Sequence, residues 1–455
     1  MRDLMFAIAM LMVIPLAIVR PVNAYLVWGW TAVLIPTSYL FGFMQGARLN
    51  FLFAMIAILL VLFRRVDWSL YKPNRTVWIY LLLLTHATIA FLLGFDGNKD
   101  NGTYYEVLAK VMVFCLLMPM FIHQRLHIHA MVMVIVFGMG IHGVLDGLKT
   151  LSSGGAHNMY GPRGSMIYDR NHLSTALAVV LPLAYFLYQY ARHRIMRMGF
   201  LAAFALIVLA IMAGGSRGGF IALAVVGFWL ILTSRRRWST LLIVATLGSL
   251  LFVFAPERWT SRLSTIETAD SDASFMGRVV AWKISAAIAV DNPVFGGGFH
   301  AVQYQPVWDR YKDAPSPLDF LNIEIPPFKA KAAHSIYFEV MGDQGFVGLL
   351  IFLGMLSHAL YSRGSIKRMA QELGPRFTWA RDLGDMLMLS VLAYMTGGAS
   401  VSVAYLELIY MVVMLMEILR VHVRDAHAAE MRARKVLATA ERSASPTSDK
   451  AAAAH

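Results

Sequence analysis

Three isolated side chains carry the chemistry that this sequence suggests: Arg217, Arg278 and His334. Each stands where an apolar segment meets a polar stretch, in a chain otherwise poor in charge. Arginine presents a permanently charged, planar guanidinium group that binds phosphate oxygens in pairs. Histidine, with an ordinary pKa of about 6.5, either accepts a proton from a hydroxyl group or donates a hydrogen bond to a phosphate. The combination predicts an anionic substrate handled at a lipid surface.

The composition places these residues in a membrane protein. Of the 455 residues, 58% are apolar and only 15% are charged, and the mean hydropathy is +0.59. These values exclude an ordinary soluble domain. The length accommodates about 12 spans of roughly 20 residues, so we expect an all-α integral membrane protein with about 12 transmembrane helices. The net charge of +13 is expected in cytoplasmic loops, and no nucleic-acid partner is expected.

The apolar segments alternate with two kinds of loop. The segments lie near 4–19, 22–42, 50–63, 76–93, 104–122, 129–148, 171–190, 197–213, 220–233, 238–254, 345–361, 384–398 and 402–420. Lysine and arginine concentrate in the loops at 64–75, 192–197, 235–237 and 363–381, which the positive-inside rule places in the cytoplasm. The loops at 94–103, 149–170, 214–219 and 256–333 then face outward. We expect both chain ends inside, with an external N-terminus as the alternative.

This pattern divides the chain into three parts. Residues 1–420 form the polytopic transmembrane domain, 255–334 form one large periplasmic loop within it, and 421–455 form a cytoplasmic tail that we expect to be largely disordered. A loop of this length exceeds what a connection needs, so it should carry structure of its own. An apolar stripe over 277–290 predicts a helix there, ended by Asn292-Pro293. The proline-rich stretch 315–327 is expected to be mobile.

Three ordered sequence blocks resemble a known family. They are Gly214-Gly215-Ser216-Arg217-Gly218-Gly219; Gly277-Arg278 with Trp282, followed by Asp291-Asn292-Pro293-Val294-Phe295-Gly296-Gly297-Gly298; and Ala333-His334-Ser335-Ile336-Tyr337, followed by Gly342-Asp343-Gln344-Gly345-Phe346-Val347-Gly348. In this order, within residues 170–362, they are similar to the bacterial O-antigen ligase and polymerase superfamily of membrane glycosyltransferases. The opening of the chain also resembles the exosortase-associated O-glycosylation ligases of that superfamily. Family members often have Asn after the histidine, where this chain has Ser335.

The resemblance implies a GT-C-like fold and a reaction at the periplasmic face of a Gram-negative inner membrane. A glycan on undecaprenyl pyrophosphate is transferred to an acceptor hydroxyl, which in ligases belongs to lipid A-core, with inversion at the anomeric carbon. Arg217 and Arg278 are expected to hold the pyrophosphate, and His334 to activate or orient the hydroxyl or to bind phosphate. An O-antigen polymerase and a protein O-oligosaccharyltransferase are the alternatives within the superfamily. A lipid or glycan transporter is the alternative outside it.

Further candidates surround these three residues. A polar block with Arg163, Arg170 and His172 precedes an apolar segment on the same face, and it would bind donor pyrophosphate or acceptor. Lys331 and Tyr337 flank His334 and are candidates for the same task. The alternative for the polar block is structural: interfacial arginines, with Asn171 as a helix cap.

The sequence predicts catalysis without a cofactor or a metal. It has neither a Walker loop nor a dinucleotide fingerprint, so the energy should come from the lipid pyrophosphate bond. No cysteine and histidine cluster suggests zinc, and the single cysteine, Cys115, lies in an apolar run as a buried structural thiol. Arginine is therefore expected to stabilise the charge of the leaving group.

Overall fold

The computed structural model describes residues 1–233, Trp238, 273–321 and 329–444. Within these residues the fold is helical, without strands. The helices are α1 (Arg2–Val19), α2 (Pro21–Leu34), α3 (Leu49–Leu62), α4 (Arg75–Leu92), α5 (Lys99–Phe121), α6 (Arg125–Ser152), α7 (Arg170–Tyr190), α8 (Arg194–Gly214), α9 (Arg217–Thr233), α10 (Ala273–Asp291), α11 (Gln305–Tyr311), α12 (Ile336–Glu372), α13 (Thr378–Gly398) and α14 (Glu407–Ala444). The all-α prediction is confirmed for the described residues. The predicted segment at 238–254 lies outside them, apart from Trp238.

Seven of the described helices are long and apolar enough to cross a membrane: α1, α4, α5, α6, α7, α8 and α12. Helices α3 and α9 are apolar but shorter. Of the remaining helices, α2, α10 and α11 are shorter than the roughly 20 residues that a span needs, whereas α13 and α14 are long enough but are not among the seven. The expected total of about 12 spans therefore stays a prediction.

The bundle is built around α7 and the first half of α14. Almost every side chain of α7 from Leu173 to Leu187 is buried, and so are nearly all those of α14 from Leu408 to Leu419. Helix α1, in contrast, buries only Ala17 and exposes apolar side chains such as Leu11 along its length. Close approach depends on small residues, as is usual between membrane helices. A Cβ atom at Gly147 of α6, for example, would lie 2.9 Å from the carbonyl carbon of Leu206 in α8.

The helices run between two ends of the bundle. We call them the His334 end, with the loops at 35–48, 153–169 and 399–406, and the basic end, with the loops at 63–74, 122–124 and 373–377. At the His334 end, the Asp3 carboxylate accepts hydrogen bonds from the amides of Gly42 (2.8 Å) and Met44 (3.2 Å). Asp425 of α14 lies instead at the basic end, 2.8 Å from Lys72. The start of the chain and the end of α14 thus lie at opposite ends, so the expectation that both chain ends share a side is wrong for this bundle.

The predicted tail begins as a continuation of α14. The helix extends through Val421 to Ala444 and contacts the basic end of the bundle. Arg376 lies 2.5 Å from Glu430, and Glu372 lies 2.6 Å from His427. These ion pairs keep the first part of the tail against the loop at 373–377.

The predicted loop contains a small subdomain with its own apolar core. Helix α10 covers the stretch that the apolar stripe predicts and ends just before Asn292-Pro293. Its buried side chains pack with those of α11 and the intervening turn: Val280, Ala281, Ile284, Ala287, Ile288, Ala301, Val302, Val307, Trp308 and Tyr311. The Lys283 ammonium group lies 2.8 Å from Asp319 and joins α10 to the start of the proline-rich stretch. Residues 322–328 of that stretch lie outside the described residues.

A break in α12 joins this subdomain to the bundle. Gly345 has φ 69° and ψ −172°, which opens one turn of the helix. The amides of Gly297 and Gly298 donate to the carbonyls of Gly342 and Asp343, each at 2.9 Å, and the amide of Phe346 donates to the Pro293 carbonyl at 2.9 Å. The segment 293–298, which we call the glycine strap, therefore supplies the hydrogen-bond partners that the broken helix lacks. Two of the sequence blocks that suggested a family are the two halves of this joint.

The path of the chain predicts the accessibility of cysteine probes. With Cys115→Ala as the background, Gln45→Cys and Leu437→Cys place single thiols at exposed positions near opposite ends of the bundle. A membrane-impermeant maleimide applied to spheroplasts should label one of the two positions before lysis and the other only after it. The cysteine-free background should remain unlabelled. Labelling of both positions from the same side would contradict the path.

The glycine strap predicts that alanine substitution lowers the stability of the protein at one glycine of α12 but not at another. In Gly345→Ala a Cβ atom would lie 2.7 Å from the Pro293 carbonyl oxygen, in a backbone region that is essentially restricted to glycine. We expect a loss of about 1–3 kcal/mol in the free energy of unfolding. Gly354→Ala is the matched control, since a Cβ atom there meets nothing within 4 Å. Thermal unfolding of the purified variants in detergent should separate them, and equal melting temperatures would refute the role of the break.

Candidate functional site

Several helix ends meet at the His334 end of the bundle. Glycines without side chains allow the approach, as shown by where a Cβ atom would lie. A Cβ atom at Gly214 would lie 2.8 Å from the Ser174 hydroxyl of α7. A Cβ atom at Gly218 would lie 2.8 Å from the Gly397 carbonyl of α13, and one at Gly398 would lie 2.8 Å from the Ile336 side chain of α12. The N-termini of α7, α9 and α12 therefore gather in one region. Their backbone dipoles make that region favourable for an anion.

The glycine-rich turn positions Arg217. Gly215 ends α8 in a left-handed conformation, with φ 59°. The Ser216 hydroxyl accepts a hydrogen bond from the Gly219 amide at 3.2 Å, in the manner of an N-cap. Arg217 is thus the first residue of α9, and its side chain is exposed. A cation at this point adds to the positive end of the helix dipole.

Arg278 comes from the subdomain and lies beside Lys331. It stands near the start of α10 and is half-buried. Lys331 passes over the neighbouring Gly277, where a Cβ atom would lie 2.6 Å from the lysine Nζ atom. Both cations lie near enough to His334 to lower the pKa of its imidazole. The structure therefore brings Arg278, Lys331 and His334 together.

His334 is fixed by its backbone. It adopts φ 45°, a left-handed conformation that few residues other than glycine accept. Its amide donates to the Ser402 hydroxyl at 2.9 Å, and the carbonyl of the preceding Ala333 accepts from the Trp282 indole at 2.6 Å. Trp282 in turn stacks on Phe338 of α12, with ring centroids 5.1 Å apart. The loop before α12 is thus held from the bundle on one side and from α10 on the other.

Burial and nearby cations keep His334 neutral. Burial lowers the pKa of His334 to about 4, and the charges of Arg278, His172 and Lys331 act in the same direction, while Asp169 opposes them. A neutral imidazole offers one nitrogen as a proton acceptor. The physical setting therefore suits acceptance of a hydroxyl proton better than a permanent charge for phosphate.

The polar block before α7 places His172 beside His334 but leaves Arg163 in the surrounding loop. The Nδ1 atom of His172 lies 2.6 Å from the Met166 carbonyl, so Nδ1 carries the proton and Nε2 accepts when the ring is neutral. Arg170 is the first residue of α7 and is half-buried, whereas Arg163 is exposed. The residue that caps α7 is Asp169, which accepts from the Asn171 amide at 2.7 Å, and Asn171 is not the cap.

Tyr337 has its hydroxyl engaged. It donates to the Met395 carbonyl of α13 at 2.9 Å, and the ring is half-buried in the first turn of α12. Its position beside His334 agrees with the prediction, but the proton of the hydroxyl is used to join α12 to α13. Only the ring and the oxygen lone pairs remain for a ligand.

Two buried carboxyl groups support the site, and sequence reasoning undervalued both. Glu339 and Asp343 are 4% and 1% exposed, one turn apart on α12. Glu339 accepts from the Ala404 amide and Asp343 from the Tyr405 hydroxyl, both at 2.9 Å. They hold the loop that carries Ser402, the residue that binds the His334 amide. The signal in the sequence was a pair of acids in an apolar helix, which is unusual enough in a membrane to mark a role.

His300 completes the inner side of this network. It is 8% exposed and stacks on Tyr104 of α5, and its Nε2 atom lies 3.9 Å from the Glu339 carboxylate. Burial, followed by the charge of His172, lowers the pKa of His300 to about 3. It acts as a neutral, packed side chain, and no sequence pattern had singled it out.

Among the described residues, no three histidine, cysteine or acidic side chains are placed to share a metal ion.

Two parts of the chain match known family models. The family model described as O-antigen ligase matches residues 202–353, which include the glycine-rich turn, α10, the strap and the start of α12. A second model, for a family of unknown function, matches residues 1–192. No curated protein matches the chain. The three ordered sequence blocks lie within the matched region, so this part of the chain is similar to the O-antigen ligases, and the apolar helices make the chain a multi-pass membrane protein.

Proposed function

We propose that this protein is an O-antigen ligase. It transfers polysaccharide from undecaprenyl pyrophosphate to a hydroxyl of lipid A-core at the periplasmic face of a Gram-negative inner membrane. Members of the superfamily are glycosyltransferase-like enzymes, which supports the class of reaction. The observation that carries the proposal is a neutral histidine, His334, beside the cations Arg278 and Lys331 where three helices begin.

The cations fit the leaving group of this reaction. Pyrophosphate carries several negative charges, and it gains charge as the bond to the sugar breaks. Arg217 at the start of α9 and Arg278 on α10 are placed on two different elements around the site, so they can hold the two phosphates from two directions. Lys331 adds a third positive charge next to Arg278. No metal ion is required for this stabilisation.

His334 then serves as the general base. Its neutral imidazole accepts the proton of the acceptor hydroxyl while the oxygen attacks the anomeric carbon, and the pyrophosphate leaves from the opposite side with inversion. His172 and Tyr337 flank the acceptor, and Arg170 extends the positive field. Arg163, which lies in the exposed loop, serves at the periphery by attracting an anionic substrate.

The proposed orientation places the His334 end in the periplasm. The basic end, with Arg64, Arg65 and Lys72, then faces the cytoplasm, as the positive-inside rule requires. The transmembrane domain comprises residues 1–420, the periplasmic loop 255–334, and the cytoplasmic tail 421–455. Helix α1 begins at the His334 end, where the Asp3 carboxylate accepts from the Gly42 amide. The N-terminus is then external.

A lipopolysaccharide gel of a strain that lacks this chain tests the reaction, together with an assay of glycan on undecaprenyl pyrophosphate. Core without polymer, with long polymer on the carrier, is the expected result. Core bearing single repeats would assign the protein as a polymerase. An unchanged ladder would point to a protein acceptor, as in the O-glycosylation ligases that the opening of the chain resembles.

Complementation with single variants predicts which side chains do the chemistry. Arg217→Ala, Arg278→Ala and His334→Ala should each lower ligation by roughly 100-fold or more, because each removes a group that acts on developing charge or on the transferred proton. Arg192→Ala, at the basic end, is the control and should ligate normally at equal membrane expression. Wild-type activity should persist with a chelator present. Normal ligation by all three site variants would exclude the proposed site.

The lowered pKa of His334 predicts an unusual pH profile. A base must be neutral, and an ordinary histidine would lose activity as the pH falls below about 6.5. With its pKa at about 4, His334 should keep kcat/KM level down to roughly pH 5, and activity should fall only as the pH approaches 4. In the complex, donor phosphates favour the charged ring, so the acid limb of kcat should lie at higher pH. The control His157→Gln should not move either limb. An acid limb of kcat/KM near 6.5 would count against His334 as a buried base.

A further inference from the structure

A cavity of about 510 Å³ is lined mainly by residues of the region that matches the family of unknown function. It is bounded by the end of α2, the first turn of α3, the middle of α5, the start of α14 and the loop at 164–167. Met166 separates it from the candidate active site, since this residue lines the cavity and its carbonyl binds His172. The volume is that of a ligand site, far larger than a single water molecule needs.

The inside of the cavity is apolar and its rim is charged. Buried side chains form the walls: Trp28, Val111, Phe114, Ile167, Leu406 and Met411. Arg48 and Lys110 are exposed cations at the rim, and Glu407 contributes one carboxylate. Lys110 also contacts Glu106 at 2.5 Å, whereas Arg48 has no ion pair with a carboxylate of the described residues. The cavity is therefore amphipathic, since its lining combines apolar side chains with two basic residues and one acidic residue.

The first turn of α3 adds to the positive side. Arg48 is the N-cap of this helix, but its side chain makes no capping hydrogen bond. The first amides of α3 consequently receive no acceptor from the cap side chain, and Leu49 and Asn50 of this turn line the cavity. Backbone amides and a guanidinium group together are a common setting for phosphate.

The surroundings point to a lipid as the occupant. On α3, Phe51 is 63% exposed, and on α5, Val113 is 40% exposed, so apolar side chains flank the rim on the outside. A soluble anion would gain nothing from contact with the apolar walls, whereas a lipid would bury its acyl chain against them. A headgroup with only negative charge would be repelled by the Glu407 carboxylate, and a headgroup with only positive charge would be repelled by the Arg48 guanidinium group. A zwitterionic headgroup with a phosphate and a free ammonium satisfies all three.

We propose that this cavity binds a membrane phospholipid with a phosphoethanolamine headgroup. Its phosphate lies between Arg48, Lys110 and the first turn of α3, its ammonium contacts Glu407, and one acyl chain lies along Trp28 and Phe114. This site is separate from the arginines that hold the proposed donor, and it does not depend on the ligase assignment.

Native mass spectrometry of the full-length protein tests the proposal. The protein is released from nanodiscs that contain equal amounts of phosphatidylethanolamine and phosphatidylglycerol. The wild type should retain phosphatidylethanolamine in preference, by roughly tenfold. Arg48→Ala and Lys110→Ala should each lower this retention by roughly fivefold or more, because each removes a charged partner of the phosphate. Glu407→Gln should still retain phospholipid but should lose the preference for phosphatidylethanolamine.

Two controls separate this site from others. Arg65→Ala removes the cation of a second apolar cavity, at the basic end, and should leave the retained lipid unchanged. Arg217→Ala should also retain the lipid, even if this variant loses transfer activity. Loss of the proposed transferase function can therefore be distinguished from loss of the lipid site. Equal retention by Arg48→Ala, Lys110→Ala and Arg65→Ala, or a preference for phosphatidylglycerol, would overturn the proposal. Displacement of the lipid by millimolar inorganic phosphate would instead identify a simple anion site and would also overturn it.

Discussion

The joint between the glycine strap and the broken turn of α12 is the constraint on which the rest of the site depends. A helix that opens at Gly345 leaves backbone carbonyl groups without hydrogen-bond partners. In an apolar setting each such unpaired group destabilises the fold by roughly several kcal/mol. The strap supplies those partners through Gly297 and Gly298. It thereby fixes α10, and with it Arg278, relative to the start of α12, where His334 lies. The distance between a cation and the proposed base is thus set by backbone hydrogen bonds rather than by flexible side chains.

A second layer of support comes from two buried carboxyl groups of α12. Glu339 and Asp343 hold the loop at 399–406 through Ala404 and Tyr405, and that loop holds the His334 amide through Ser402. Loss of either carboxyl would leave a buried amide or hydroxyl without its partner, a cost of about 1–3 kcal/mol. The left-handed backbone of His334 needs such support, because the conformation is unfavourable for a residue with a side chain. One oxygen atom of each carboxyl group thus helps to hold the loop that binds the His334 amide.

The sequence predicted much of the fold because apolar periodicity and isolated glycines are local signals. The helices of the bundle and α10 appear where apolar runs indicated them, and the ordered blocks lie within the region that matches the O-antigen ligase model. The side of the N-terminus could not be predicted, since the contact of Asp3 with Gly42 joins residues that no periodicity relates. The roles of Glu339, Asp343 and His300 were missed for the same reason: their partners are distant in sequence. Asp169, and not Asn171, caps α7, a shift of two residues that propensity alone does not resolve.

Helix α7 belongs to the first of the two matched regions, yet it forms part of the site of the second. The match to the family of unknown function ends at residue 192, and the match to O-antigen ligase begins at 202. His172, at the start of α7, nevertheless acts on His334, and α7 packs against α8, α9 and α13. The boundary between the matched regions therefore divides one packed structural unit. A segment cut at that boundary would keep the three sequence blocks but would lose the helix against which they pack, so the unit that folds together is longer than the region by which the similarity is recognised.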